Sequence, residues 1–136
     1  MKPTILLLPM VSLFMGGCGE TVEKPAETVE KLGDYTALGT EPGWLVEVKD
    51  DQIVHTTQSG ENEFTLPVSR MKKTATGWEI KGFSDRHNIT LTVTSEKACN
   101  DGMSDREYAD TVRVAVSEGG YLDGCGGDII SGSEAP

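Results

Sequence analysis

The residues of this chain most capable of chemistry are its three cysteines, Cys18, Cys99 and Cys125. A redox site usually contains a Cys-x-x-Cys pair, and a zinc site needs four closely spaced Cys or His ligands. Neither pattern occurs around Cys99 or Cys125. If the chain is exported to an oxidising compartment, these two thiols are therefore expected to form one structural disulfide.

Acidic side chains cluster in residues 101–110, directly after Cys99. Calcium loops place acidic residues at every second position and carry a bidentate Glu at the twelfth, and the spacing here differs. Asn100-Asp101-Gly102 is instead typical of a polar turn. We interpret this segment as a candidate recognition loop, together with an aromatic residue that follows Glu41-Pro42-Gly43. The candidate residues are Asn100, Asp101, Met103, Ser104, Asp105, Tyr108 and Trp44.

The sequence shows no pattern for nucleophilic or metal-assisted catalysis. Ser104 has no histidine nearby in sequence to activate it. His55 and His87 are far apart and outside any ligand motif, so both are expected at the surface. Residues 124–127 lack the Lys-Ser/Thr and the helix of a phosphate loop, and their glycines are expected to allow positive φ angles. The sequence thus predicts a non-enzymatic protein with no metal and no cofactor.

Residues 1–17 have the character of a secretory signal peptide. Lys2 precedes an apolar run over residues 5–15, which is shorter than the roughly 20 residues that span a membrane. Met15-Gly16-Gly17-Cys18 resembles the lipobox of bacterial lipoproteins, with Met15 where Leu is usual. The alternatives are an ordinary secretory leader with an incidental cysteine and an uncut membrane helix.

The lipobox resemblance implies that Cys18 becomes the first residue and carries a diacylglycerol and an acyl chain such as palmitate. Gly19, where retained lipoproteins have Asp, favours the outer membrane, with the domain facing the periplasm or the cell surface. Residues 18–33 would then hold the lipid and a flexible tether. They are polar, and Pro25 disfavours a stable helix.

From Tyr35 onward the dominant hydrophobic period is two, as in half-buried strands. Residues 89–94 alternate aliphatic residues with threonines, and residues 111–116 repeat the pattern. Residues 104–109 have room for one helical turn. Because a small sheet removes its edges by closing, we expect an all-β antiparallel meander over residues 34–127, forming a closed or nearly closed barrel of about seven or eight strands. Residues 128–136 are predicted to be a disordered tail.

The chain has 136 residues and a formal net charge of −10. An acidic surface repels phosphate backbones, which disfavours nucleic acid as a partner. It would suit a cationic protein partner.

Two motifs resemble one family. Gly39-Thr40-Glu41-Pro42-Gly43-Trp44 is similar to a Gly-x-Glu-Pro-x-Trp opening, and Cys99-Asn100-Asp101-Gly102-Met103-Ser104 with Gly124-Cys125-Gly126 is similar to its closing motif. Both are found in a family of uncharacterised bacterial envelope lipoproteins, described as predicted membrane proteins. The resemblance covers residues 35–127 and implies no specific activity.

These observations predict a lipid-anchored envelope protein with a non-enzymatic binding or structural domain. One alternative is an inhibitor of a cationic lysozyme-type enzyme, because lipid-anchored inhibitors of C-type lysozyme are also small disulfide-linked barrels. That family's inhibitory loop motif is absent from the sequence. Another alternative is a carrier that holds a small molecule or a metal in the barrel mouth.

Overall fold

The structure is a computed structural model that describes residues 30–117 and 120–132. The predicted signal peptide, the lipidation site Cys18 and most of the predicted tether lie outside the described residues. Within the described part of the chain, no helix is long and apolar enough to cross a membrane.

Nine antiparallel β-strands follow one another along the described residues. They are β1 Tyr35–Thr40, β2 Gly43–Lys49, β3 Gln52–Thr57, β4 Phe64–Lys73, β5 Gly77–Phe83, β6 Asn88–Thr94, β7 Cys99–Asn100, β8 Glu107–Val116 and β9 Gly120–Ser131. The segment proposed to allow one helical turn, residues 104–109, instead leads into β8 and contains no helix.

The strands close into a barrel. Strands β1 to β6 pair in sequence order, β6 pairs with β8, β8 with β9, and β9 returns to β1 through Ala37↔Gly126 and Leu38↔Cys125. This circuit has eight strands, and β7 is a short additional strand on β8. The predicted small closed antiparallel barrel is therefore confirmed. Closure is favourable because it leaves few unpaired strand edges.

The barrel interior is filled by the apolar side chains that alternate along each strand. In β6, Ile89, Leu91 and Val93 are at most 1 % exposed, while Thr92 between them is exposed. Because successive side chains of a strand point to opposite faces, each of the eight barrel strands turns one face inward and contributes to a single core. The core also contains Tyr35, Ala37, Trp44, Val46, Val48, Ile53, Leu66, Trp78, Ile80, Val112 and Val114.

The two ends of the barrel are built differently. We call the mouth the end formed by the connections that follow β1, β3, β5 and β8, which begin at Glu41, Gln58, Ser84 and Ser117. The closed end carries the other connections and the segment that precedes β1. One of these is the two-residue turn Asp50-Asp51, in which both residues have positive φ, as tight hairpins require.

The residues just before β1 contact the closed end. Leu32 packs against the core, and its amide donates a hydrogen bond to Met71 Sδ. Lys31 pairs with Asp51 at 3.2 Å. The predicted flexible tether over residues 18–33 is therefore wrong for residues 30–33, because one apolar side chain is enough to hold this segment on the barrel.

The disordered tail predicted for residues 128–136 also begins too early in the sequence. Strand β9 continues to Ser131, with Ile129 opposite Tyr108 and Ser131 opposite Glu107. Irregular pairing near Tyr108 and Asp110 lets β9 continue along β8 past the point where it leaves β1. Residues 128–131 are thus strand; residues 133–136 lie outside the described residues.

The predicted disulfide joins Cys99 to Cys125, with Cα atoms 5.4 Å apart. Cys125 lies on the outward face of β9, because its neighbours Gly124 and Gly126 face interior residues Trp44 and Tyr35. The bridge therefore fixes the connection between β6 and β8 against the outside of the barrel wall. This confirms the pairing expected from the sequence.

Candidate functional site in the barrel mouth

An open cavity of about 700 Å³ occupies the mouth. Small-molecule sites usually have volumes of about 300–1,000 Å³. Its floor is formed by ring side chains and its rim by polar residues of the mouth connections. The lining residues are Thr40, Glu41, Pro42, Gly43, Trp44, His55, Thr57, Gln58, Ser59, Glu61, Asn62, Phe64, His87, Val116, Ser117 and Leu122.

Hydrogen bonds hold the mouth connections in place. The amide of Gln58, after β3, donates to the carbonyl of Gly43 in the neighbouring hairpin at 2.9 Å. The hydroxyl of Thr57 donates to the carbonyl of Glu61. Ser84 and His87 close the connection after β5 with a bond of 2.7 Å. The cavity is therefore largely preformed.

Three rings are stacked at one side of the cavity. The ring of Phe64 lies between those of His55 and His87, with centroid distances of 4.9 and 4.7 Å and interplanar angles of 24° and 12°. Each ring comes from a different part of the sheet: the end of β3, the start of β4 and the connection after β5. Stacked rings of this kind stabilise one another, and the two imidazoles cover both faces of Phe64.

His55 is 2 % exposed, so the prediction that it lies at the surface is wrong. Its Nδ1 lies 2.9 Å from the carbonyl oxygen of Asn62. Because a carbonyl oxygen only accepts, Nδ1 donates this hydrogen bond. Within the described part of the chain Nε2 is buried without a hydrogen-bond partner. Buried polar atoms are nearly always paired. The unpaired Nε2 of His55 is therefore unusual, and it belongs to a residue that lines the cavity.

Trp44 lies on the inner wall of the cavity, where two glycines make room for its indole. A Cβ atom at Gly39 would lie 2.1 Å from the indole Nε1, and one at Gly124 would lie 2.7 Å from Cζ2. The two glycines are needed because the ring lies directly on their backbone. Positive φ was expected of the glycines in residues 124–127, but among Gly124, Gly126 and Gly127 only Gly127 has it.

The mouth carries more negative than positive side chains. Glu41 and Glu61 line the cavity and are exposed. Glu63 and Asp85 lie in the same connections, opposed by Arg86. None of the lining residues that the structure describes is Lys or Arg.

The predicted recognition loop lies on the outside of the barrel and is internally ordered. Asp101 Oδ1 accepts hydrogen bonds from the amides of Met103 and Ser104 at 2.9 and 2.7 Å, and Oδ2 accepts from the Ser104 hydroxyl at 2.7 Å. These bonds hold the pKa of Asp101 below its usual value, because they stabilise the charged carboxylate. Asn100 bonds to the loop backbone at Gly102, Ser104 and Arg106.

The structure separates the residues that the sequence grouped into one recognition surface. Trp44 is 4 % exposed and faces the cavity, whereas Met103 is 75 % exposed on the outer loop. Tyr108 is buried, and Asp105 is exposed beside the loop. A hydrogen bond of 2.9 Å from the Thr40 hydroxyl to the carbonyl of Asp101 connects the loop to the strand that precedes the mouth hairpin.

The sequence interpretation missed His55, Phe64 and His87 as a group. A signal for His55 was present, because it lies two residues after the buried Ile53 and so shares its inward face. His87 had no such signal, since it lies in a connection. No group of three or more His, Cys, Asp or Glu side chains able to hold a metal ion occurs among residues 30–117 and 120–132.

Comparisons with known proteins return no matching family model, no matching curated protein and no matching solved structure.

Proposed function

We propose that this chain is a lipid-anchored protein of the bacterial envelope whose barrel binds a small molecule in its mouth without transforming it. The observation that carries the proposal is the preformed cavity of about 700 Å³, with rings on its floor and polar groups on its rim. Ligand sites commonly combine mostly apolar walls with a few polar groups.

Two further features support a binding role at this end. The indole of Trp44 forms part of the cavity wall and packs against the backbone of Gly39 and Gly124. His55 is buried with one nitrogen lacking a partner, which costs stability unless an occupant or a water supplies one. An apolar side chain at this position would not carry this unpaired nitrogen.

The envelope location rests on the sequence. The lipobox-like segment ending at Cys18 supports an anchor, and the Cys99–Cys125 disulfide is compatible with an oxidising compartment. Cys18→Ser is expected to release the protein from the membrane fraction of its own host. Retention of the variant in that fraction would contradict lipidation.

Binding can be followed through the two tryptophans. Trp44 lines the cavity, whereas Trp78 begins β5 at the closed end. In mature chain 18–136 carrying Cys18→Ser, the variant Trp78→Phe leaves Trp44 as the only tryptophan, and Trp44→Phe leaves Trp78. A set of aromatic and aliphatic compounds is titrated into both.

Compounds that bind the mouth should change the fluorescence of Trp44 and leave that of Trp78 unaltered. Native mass spectrometry of the protein from its own host should show a mass above that of the apo chain. If no compound affects Trp44 and the native mass is that of the bare chain, the binding proposal is wrong.

A second candidate is a protein inhibitor of a cationic lysozyme-type enzyme. The observation that favours it is the ordered outer loop, which presents Met103 at 75 % exposure. A loop that is ordered before binding loses little entropy on docking, and the acidic chain would attract a cationic partner.

Inhibition assays against C-type, G-type and I-type lysozymes test this candidate. Met103→Ser should abolish inhibition, while Tyr121→Ser, which changes a residue of equal exposure (74 %) elsewhere, should preserve it. No inhibition by micromolar protein would exclude this candidate.

A further inference from the structure

The charges around the mouth restrict what can enter it. Two carboxylates, Glu41 and Glu61, are part of the lining, and the described lining contains no Lys or Arg. Glu63 and Asp85 add negative charge to the same end, against one Arg86. A carboxylate, sulfonate or phosphate in the cavity would lie close to like charges, and the described lining offers it no Lys or Arg to pair with.

The walls favour flat ligands. Trp44 and the stacked rings of His55, Phe64 and His87 present faces and edges around one space. Aromatic ligands gain from offset stacking and edge-to-face contacts with such rings. The charge of a positively charged ligand is complemented by the rim carboxylates of Glu41 and Glu61.

On the basis of the proposed small-molecule function, we propose that the occupant of the mouth is a flat aromatic compound that is neutral or positively charged, and that the mouth rejects anions. The rim carboxylates set the charge preference, and the rings set the preference for a flat shape. The remaining lining groups, such as Thr57, Gln58 and Asn62, are neutral and do not change the sign of the field.

Three fluorescent aromatic probes differ in charge: N-phenyl-1-naphthylamine (neutral), 8-anilinonaphthalene-1-sulfonate (the same ring system with a sulfonate) and 9-aminoacridine (a flat cation). Each is titrated into mature chain 18–136 carrying Cys18→Ser at low ionic strength. We expect the sulfonate to bind about tenfold more weakly than the neutral probe, since two nearby like charges act on it. The difference should shrink at high salt.

The double variant Glu41→Gln/Glu61→Gln tests the cause. It should strengthen sulfonate binding by about tenfold and weaken 9-aminoacridine binding, with little change for the neutral probe. The control Glu47→Gln/Asp128→Asn removes the same amount of charge from exposed positions outside the mouth. It should leave the three affinities in their original order.

The outcomes distinguish the two proposals. If the sulfonate binds as tightly as the neutral probe, or if the double variant does not alter the order, the charge preference is wrong while the binding function stands. If the neutral probe binds but Phe64→Leu and Trp44→Leu leave its affinity unchanged, binding occurs elsewhere and the proposed shape preference is wrong. If no probe binds, both proposals are overturned.

Discussion

The two ends of the barrel differ in the hydrogen bonding of their buried polar groups and in the size of their cavities. At the closed end, the Tyr35 hydroxyl donates to Asp110 at 2.9 Å, the other oxygen of Asp110 accepts from the amide of Glu96, and Leu32 packs against the core. At the mouth, His55 has a nitrogen without a partner among the described residues, and a cavity of about 700 Å³ is open.

This difference shows where the chain is optimised for stability. Satisfied hydrogen bonds stabilise the fold at the closed end, where the cavity beside Asp50 and Asp51 has a volume of only about 180 Å³, while the mouth retains features that cost stability. Proteins commonly accept such costs at sites of function. Substitutions at the closed end should therefore lower stability and spare binding, and those at the mouth should impair binding and change stability less.

The largest effect is expected from removing the disulfide, which fixes a closed-end connection to the barrel wall. Cys99→Ala/Cys125→Ala opens a loop of 26 residues, which on the loop-entropy model costs about 3.5 kcal/mol. For a domain of this size the melting temperature should fall by roughly 15 °C. Calorimetry of the variant measures it.

Probe affinity at the mouth, measured well below the melting temperature, should stay within about twofold of the unaltered chain, since neither Cys99 nor Cys125 lines the cavity. Reduction of the unaltered protein should give a similar fall in melting temperature. An unchanged melt in the variant would contradict a stabilising bridge.

The next largest loss of stability is expected at Gly126, where other side chains lie too close to leave room for a Cβ atom. A Cβ at Gly126 would lie 2.5 Å from the Tyr35 hydroxyl and 2.8 Å from Val112 Cγ2. Gly126→Ala should therefore destabilise the barrel by about 2 to 3 kcal/mol through overpacking. The control is Gly33→Ala, where a Cβ meets nothing within 4 Å. Urea unfolding of both variants checks the prediction, and equal midpoints would refute it.

The local sequence was sufficient to predict the strands but not the site. Alternation in residues 89–94 and 111–116 identifies strands because burial on one face is a local, period-two property. The disulfide followed from cysteine number and compartment. The stacking of His55, Phe64 and His87 depends on strand register and on a connection, which are set by long-range pairing.

The ends of the domain were misjudged for a similar reason. A single apolar residue, Leu32, attaches the segment before β1, and β9 continues past Gly127 because β8 offers it a partner. Neither contact has a periodic signature. The inward glycines Gly124 and Gly126 are explained only by Trp44 and Tyr35, which lie more than 70 residues earlier in the chain.

A smaller effect is expected from Tyr35→Phe, which removes the hydroxyl that donates to Asp110. The loss should cost about 1 to 2 kcal/mol, since a partly buried carboxylate loses one of its donors. Tyr121→Phe is the matched control, because Tyr121 is 74 % exposed. Guanidinium unfolding at pH 7 compares the two, and equal stability of both variants would contradict a role for the Tyr35–Asp110 bond.

Tyr35 should also make the folding stability depend on pH in the alkaline range. Burial, and then the neighbouring Asp110 carboxylate, raise the pKa of Tyr35 above its ordinary value. The folded state therefore holds the proton more tightly than the unfolded chain, which releases it near pH 10. The stabilisation of the folded state by protonated Tyr35 is complete below about pH 10 and is lost as the pH rises further. Tyr35→Phe should have a flatter stability profile above pH 10 than Tyr121→Phe.

The smallest effect on stability is expected at the mouth, from His55→Phe. The substitution loses the hydrogen bond between Nδ1 and the carbonyl of Asn62, at 2.9 Å, which is worth about 1 kcal/mol. It also removes the buried Nε2 that has no partner in the described structure, and it preserves stacking on Phe64. Because the loss and the gain are of similar size, the unfolding free energy should change by less than about 0.5 kcal/mol. A loss of 2 kcal/mol or more in chemical denaturation would mean that His55 is a structural residue like Tyr35, and the contrast between the two ends would then fail.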